Sequence, residues 1–295
     1  MESTVSPEPL KPQKDPGPAI EEIIREFCRS SPENDLLFSA SEPMFDEPLV
    51  GFSSAADPLY AFFKKDIGDP YTTPIDHFRA AFLDRTITAE DLSVIAWVLP
   101  LTRQTKNDNR KETAQPSERW ARTRLFGEKF NVALANYVAG ILNAQGTDAL
   151  VPSLSPAARA GISQKYGMAT SWSERHAAFV SGLGTFGLCD GLITKKGKAM
   201  RCGSVIARIA VPPTPRPYAG HHDWCLFYAK GTCKACIQRC PAGALSKQGH
   251  DKNRCREYLF GVTKPYILEK YNIDIYGCGL CQTKVPCESK NPVKK

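Results

Sequence analysis

Eight of the eleven cysteines in this 295-residue chain lie between positions 225 and 287. They are Cys225, Cys233, Cys236, Cys240, Cys255, Cys278, Cys281 and Cys287, spaced C-x7-C-x2-C-x3-C-P, then a lone cysteine, then C-x2-C-x5-C. Thiols at this density organise whatever fold surrounds them, through disulfides or through metal. The first residues, "MESTVSPEPLKPQKDPGPA", lack the apolar stretch of a signal peptide and carry no twin arginine, so a cytoplasmic location is expected. In that reducing compartment the cysteines point to metal.

Tandem C-x2-C pairs are compatible with structural zinc, four ligands to a site. The C-x3-C-P ending points elsewhere. In ferredoxins with two cubes, three cysteines of such a run bind one 4Fe–4S cluster, and the cysteine before proline binds the other. Applied here, Cys225, Cys233 and Cys236 join Cys287, while Cys240 joins Cys255, Cys278 and Cys281. Every cysteine of the region is then used, four to a cube. Zinc and unmetallated thiols are the alternatives. Cys28, Cys189 and Cys202 fall outside the pattern and read as ordinary buried thiols.

Ahead of this module lies far more chain than an electron carrier needs. Residues 1–18 carry five prolines and read as a disordered arm. "IEEIIREFC" from Ile20 has apolar residues at helical spacing. In "TAEDLSVIAWVLPL", Thr88 can cap a short helical turn before a core strand; its apolar run, 94–101, is too short to span a membrane. The polar stretch 102–117 is rich in loop formers. Residues 118–146 read as one long amphipathic helix closed by Gly146. A second long helix is expected in "WSERHAAFVSG", and a strand in "SVIARIAV". Strands alternating with helices over residues 19–217 imply an α/β domain, and the change of composition near Tyr218 marks a small domain over 218–295. Net charge is +7, partly from "TKKGKAMR" and "NPVKK", and reads as a solvated surface; an anionic partner such as tRNA stays open.

Taken together, the cysteine module and the segment 171–205 resemble the superfamily of cobalamin-dependent epoxyqueuosine reductases and reductive dehalogenases. The matching residues are Glu174-Arg175, Ala177, the loop Ser181-Gly182-Leu183-Gly184-Thr185-Phe186-Gly187, Leu192-Ile193-Thr194, "RPY" at 216–218, "RCPAGAL" at 239–245, Cys255 with Tyr258-Leu259, and "YGCGLCQ" at 276–282. The resemblance implies an α/β (α+β) domain that binds base-off cobalamin beside a ferredoxin-like domain with two 4Fe–4S clusters. There the clusters reduce cobalt to Co(I) with electrons from a low-potential donor of ferredoxin or flavodoxin type. It places Gly182, Leu183, Gly184, Thr185, Phe186 and Gly187 at the cofactor, since residues without Cβ permit close backbone approach. Two departures stand out. Gly187 is followed by Leu188-Cys189, where epoxyqueuosine reductases continue with Lys-Asn. Met168 stands six positions before Glu174, where those enzymes carry an acidic proton donor, so Tyr166 becomes the candidate proton source.

The leading expectation is a cytoplasmic iron–sulfur and cobalamin reductase of a small organic substrate. The alternatives are an electron-transfer or activator protein without cobalamin, and a tRNA-modifying reductase whose helical-repeat tail is supplied by another subunit. Glu174, Arg175 and His176 read as a structural ion pair or cap. His221 and His222 are weak ligand candidates, and Trp97 is packing.

Overall fold

The computed structural model describes residues 15–293. The arm expected over 1–18 falls outside these as far as residue 14; Gly17 already begins a helix, α1 (Gly17–Ser30), which buries Ile20, Ile24 and Cys28 at a spacing of four.

The centre is a four-stranded sheet in the order β1 (Leu49–Ser54), β2 (Ser93–Pro100), β8 (Met200–Ala207), β3 (Ala149–Leu150). Every neighbouring pair is antiparallel, with Trp97 opposite Val50 on one side and Gly203 on the other. The fold therefore mixes helices and strands without a parallel βαβ sheet. All eight residues of β2 are buried, and its alternation explains why. Ile95, Trp97 and Leu99 face a core shared with α1 and α5 (Glu118–Ala144). Val94, Ala96 and Val98 face a second core, built with α2 (Pro58–Ile67), α3 (Pro74–Ala81) and α6 (Glu174–Val180). With helices on both faces, a continuous apolar run is what the strand requires.

Helix α5 runs as its pattern predicts, and Gly146, with φ of +81°, follows its last turn. Two expectations over residues 102–181 are corrected. The polar stretch after β2 holds a helix, α4 (Arg103–Lys111), whose cap Thr102 accepts from the Thr105 amide. Its polarity serves contacts with the cysteine-rich segment: Asn109 Nδ2 donates to the Cys278 carbonyl at 3.3 Å and to Thr283 Oγ1 at 3.2 Å, and Arg110 pairs with the buried Glu288. The helix expected in "WSERHAAFVSG" is only α6, seven residues long. It stops where Ser181 leads into Gly182, whose φ of +80° is left-handed.

Two hairpins flank this core. One joins β4 (Ala160–Ser163) to β5 (Gly167–Thr170); the other joins β6 (Gly184–Phe186) to β7 (Leu192–Thr194). The cysteine-rich segment contributes α7 (Leu226–Lys230), α8 (Ala235–Gln238), a two-residue hairpin of β9 (Leu245–Ser246) and β10 (Gly249–His250), then α9 (Lys252–Tyr258) and α10 (Lys264–Tyr271). Arg239, just before Cys240, ties it down: the guanidinium donates to the carbonyls of Leu280, Thr283, Glu112 and Asn109. Among the described residues, no helix is long and apolar enough to cross a membrane.

Candidate functional site

All eleven cysteines are free thiols, and the eight of the C-terminal segment fall into two groups. Cys225, Cys233, Cys236 and Cys287 line a small cavity together with Gly187, Leu188 and Ile193. Cys240, Cys255, Cys278 and Cys281 line a second cavity of about 570 Å³. Its other wall comes from α5 (Trp120, Arg124, Asn131), the start of α6 (Glu174, Arg175) and β8 (Met200 to Ser204). Local geometry accounts for the arrangement. Cys236 lies in the one-turn helix α8, whose end returns the chain so that the Cys240 amide donates to the Ile237 carbonyl at 3.1 Å. Proline at 241 then prevents helical continuation. Cys255 rides on α9, capped by Asp251, whose side chain accepts from the Arg254 amide at 3.0 Å.

Among the described residues, no three His, Cys, Asp or Glu side chains converge as they would around a single metal ion. A cube carries its four thiolates at separate corners, so it needs donors spread around a cavity, and both groups are spread in that way. Thiols are also the donors that iron–sulfur cubes take. With four thiols each, the two sets match the ligand number of two 4Fe–4S clusters.

The large cavity joins an apolar lining (Trp120, Trp172, Val132, Ala135, Met200) to the cations Arg124, Arg175 and Arg201. It lies against the thiols of the second set, where an electron acceptor must be to receive charge from them. That chemistry suits a large, mostly apolar ring with polar edges, such as a corrinoid. Arg201 is paired with Glu128, leaving Arg175, whose guanidinium donates to the Asp190 carbonyl at 2.6 Å, as a cation without a carboxylate partner in the hydrogen bonds it makes.

Glu174 is the notable acid here. Ser173 caps α6, and the first turn directs Glu174 toward β8, where the Ser204 hydroxyl donates to Oε2 at 2.5 Å. Ser204 in turn accepts from the indole N–H of Trp172 at 2.9 Å. Burial raises the Glu174 carboxyl from its ordinary 4.5 to about 8, outweighing the hydrogen bonds from Ser204 and Trp172 that favour ionisation. A cavity-lining carboxyl with its pKa raised in this way is suited to donating a proton. The structural ion pair or cap expected for Glu174 is replaced by this arrangement.

Other expected positions fall elsewhere. Tyr166 sits at the exposed end of the β4–β5 hairpin, 39% accessible, and its hydroxyl donates to Asp66 Oδ2 at 2.6 Å. It is absent from the lining of the large cavity, because the hairpin projects the ring toward α2 and the surface. Gly182, Leu183, Gly184, Thr185 and Phe186 line neither cavity, and Gly187 lines the small one. Their glycines make room for the protein itself: a Cβ on Gly184 would stand 2.3 Å from the Ile193 carbonyl oxygen of the paired strand, and one on Gly182 2.8 Å from that of Pro215. Thr185 and Phe186 position the approach to Cys225. Thr185 Oγ1 accepts from the Trp224 amide at 2.9 Å, and Phe186 stacks on His221 at 4.3 Å between ring centres. His222 Nδ1 bonds the Phe186 carbonyl at 2.9 Å.

Two residues read as unremarkable lie between the cavities. Cys189 is buried and lines the large cavity together with Cys281. Lys198, expected on a solvated surface, is 2% exposed, and its Nζ donates to Cys189 Sγ at 3.1 Å. The only sequence signal for this pair was the departure from Lys-Asn after Gly187. Cys202 lines the large cavity, and burial pushes its thiol up to about 12, which keeps it protonated.

No family model matches the chain. Over 120 residues it is 33% identical to the epoxyqueuosine reductases of Bacillus anthracis and Bacillus cereus, a match that takes 39% of this chain and 29% of each relative. The match thus spans under a third of the length of these curated relatives. Among solved structures, a selenomethionine-labelled epoxyqueuosine reductase aligns with 92% of this chain and 66% of its own, at 18% identity and a TM-score of 0.45. A catabolic reductive dehalogenase aligns with 83% of this chain and 30% of its own, at 15% identity and a TM-score of 0.48. Over the matched 120 residues, the sequence relatives support the resemblance to the epoxyqueuosine reductases.

Proposed function

We propose that this relative of the epoxyqueuosine reductases is an iron–sulfur oxidoreductase that uses a corrinoid to reduce a small organic substrate in the large cavity. The observation that carries the reading is the composition of that cavity: four thiols of one prospective cluster form one wall, and Glu174, its carboxyl raised to about 8 by burial, stands on another. Electrons and a proton can therefore be supplied to the same space.

Cys240, Cys255, Cys278 and Cys281 hold the cluster beside the cavity, and Cys225, Cys233, Cys236 and Cys287 hold the one behind it. A low-potential one-electron donor protein supplies the electrons. Trp120, Trp172, Met200, Arg124 and Arg175 would hold a corrinoid, which would supply a strongly reducing metal. Glu174 holds the proton at its carboxyl, with Ser204 and Trp172 fixing its direction. Apolar side chains exclude water, which preserves both the raised pKa of Glu174 and the reducing power of the site. Tyr166 has no part in this scheme.

Anaerobic reconstitution with iron, sulfide and hydroxocobalamin tests the proposal. The gel-filtered protein is expected to retain stoichiometric corrinoid with a Co(II) paramagnetic signal, alongside the broad absorption of two clusters. Clusters without any retained corrinoid would replace this reading by that of an electron-transfer protein.

A further inference from the structure

Of the residues lining the two cavities, Lys198 alone lines both. Its side chain thus forms part of the partition between the two thiol sets. It is held there from both ends of its own backbone: the Lys198 amide donates to the Cys287 carbonyl at 2.9 Å, and the next amide, of Ala199, donates to the Glu288 carbonyl at 3.3 Å. The preceding Gly197 makes this docking possible, since a Cβ there would stand 2.1 Å from the Glu288 carbonyl oxygen. The ammonium donates to Cys189 Sγ; Cys236 and Cys287 line the small cavity with Lys198, and Cys281 lines the large one with it. Among the described residues, no carboxylate forms an ion pair with it; Glu288, the nearest acid in sequence to this contact, is taken by Arg110.

A buried charge is costly unless opposite charge compensates it. Here the compensation must come from sulfur. Four thiolates around a cube give that centre net negative charge, and each added electron makes it more negative. A cation fixed between two such centres stabilises the reduced form of both, and net charge together with hydrogen bonds to sulfur are among the factors that set cluster potentials. Cys189, which neither ligand set uses, anchors the cation at the partition between the two cavities.

We propose that Lys198 is a counter-cation shared by the two iron–sulfur clusters, a positioning residue that raises the reduction potential of both and compensates the electron as it passes from one to the other. Each step is the one-electron reduction of a cube by a low-potential one-electron donor, with no bond made or broken and no proton transferred at the lysine. The proposal rests on the assignment of the eight thiols to two clusters, which iron content tests separately.

The experiment is potentiometric titration of anaerobic protein with dithionite, following the paramagnetic signals of both reduced clusters. Lys198→Met is expected to keep wild-type iron and sulfide while lowering both midpoints. The equilibrium constant for accepting an electron should fall at least tenfold at each cluster, about 59 mV for a one-electron couple. Lys198→Arg, which keeps the charge, is expected to stay near the wild-type midpoints. Unchanged midpoints in Lys198→Met, a shift at one cluster only, or an equal shift in Lys198→Arg would overturn the proposal. If Lys198→Met loses iron, Lys198→Arg decides: retention of both clusters at wild-type potentials supports a requirement for the charge, and loss of iron there as well shows a steric role and sinks it. Wild-type protein without two clusters would instead defeat the ligand assignment on which the proposal stands.

Discussion

Replacing Glu174 by glutamine should make the protein more stable at neutral and alkaline pH while it loses activity. The carboxyl is raised from 4.5 to about 8 by burial in the folded chain. Below pH 4.5 both folded and unfolded chains hold the proton, and Glu174 has no effect on stability through its charge. As pH rises past 4.5 the unfolded chain ionises and the folded one does not, so stability falls until the folded pKa is reached. Each pH unit across this window is worth about 1.4 kcal/mol, giving about 3 kcal/mol at pH 7. Glutamine has no proton to lose, and its amide oxygen can still accept from Ser204. Glu174→Gln should therefore melt at nearly the wild-type temperature at pH 4.5 and roughly 6 to 12 °C above it at pH 7, given some 2–4 °C per kcal/mol for a large domain. The assay is a set of anaerobic thermal melts of the cluster-loaded proteins at matched scan rate between pH 4.5 and 8. Product formation by the same variant should drop by roughly 10² to 10⁴, the contribution of a general acid. Melting temperatures of the two proteins that run parallel across this pH range would refute the argument, because the carboxyl would then titrate in its ordinary range.

Three further outcomes follow from the geometry. Tyr166→Phe should leave turnover within about twofold of wild type, since the hydroxyl it removes bonds Asp66 at the surface; a loss on the scale of a general acid would restore this tyrosine to the site. Asn131→Leu should destabilise the fold by about 1–3 kcal/mol in anaerobic denaturation, because it strips the buried Trp97 indole N–H of its acceptor and the Cys202 carbonyl of its donor. Cys233→Ala and Cys240→Ala should each erase the paramagnetic signal of a different reduced cluster, as their thiols line different cavities; loss of the same signal in both would break the division into two sets.

The parts of this molecule legible from sequence are those whose cause is local. The spacing C-x2-C-x3-C-P, the unbroken apolar run of β2 and the capped length of α5 each declare themselves within one segment. What escaped depends on partners far along the chain. Glu174 owes its proton to Ser204 on β8 and to burial between two segments, and nothing near position 174 announces either. Lys198 sits in a run of basic residues that looks solvated, yet the fold draws it between Cys287 and Cys189. The glycines at 182 and 184 pointed correctly to close approach, but the approaching groups are the carbonyls of Pro215 and Ile193. Helix α4 was hidden for a similar reason: its Asn109 and Arg110 are polar in order to bind the cysteine-rich segment, and the pattern of a solvent loop is the same.

Iron, acid-labile sulfide and zinc, measured together on anaerobically purified protein, bear most directly on the assignment of the eight thiols. Two cubes require about eight iron and about eight sulfide per chain with negligible zinc. About four iron per chain, or zinc in place of iron, would contradict the two-cluster centre from which the functional reading is built.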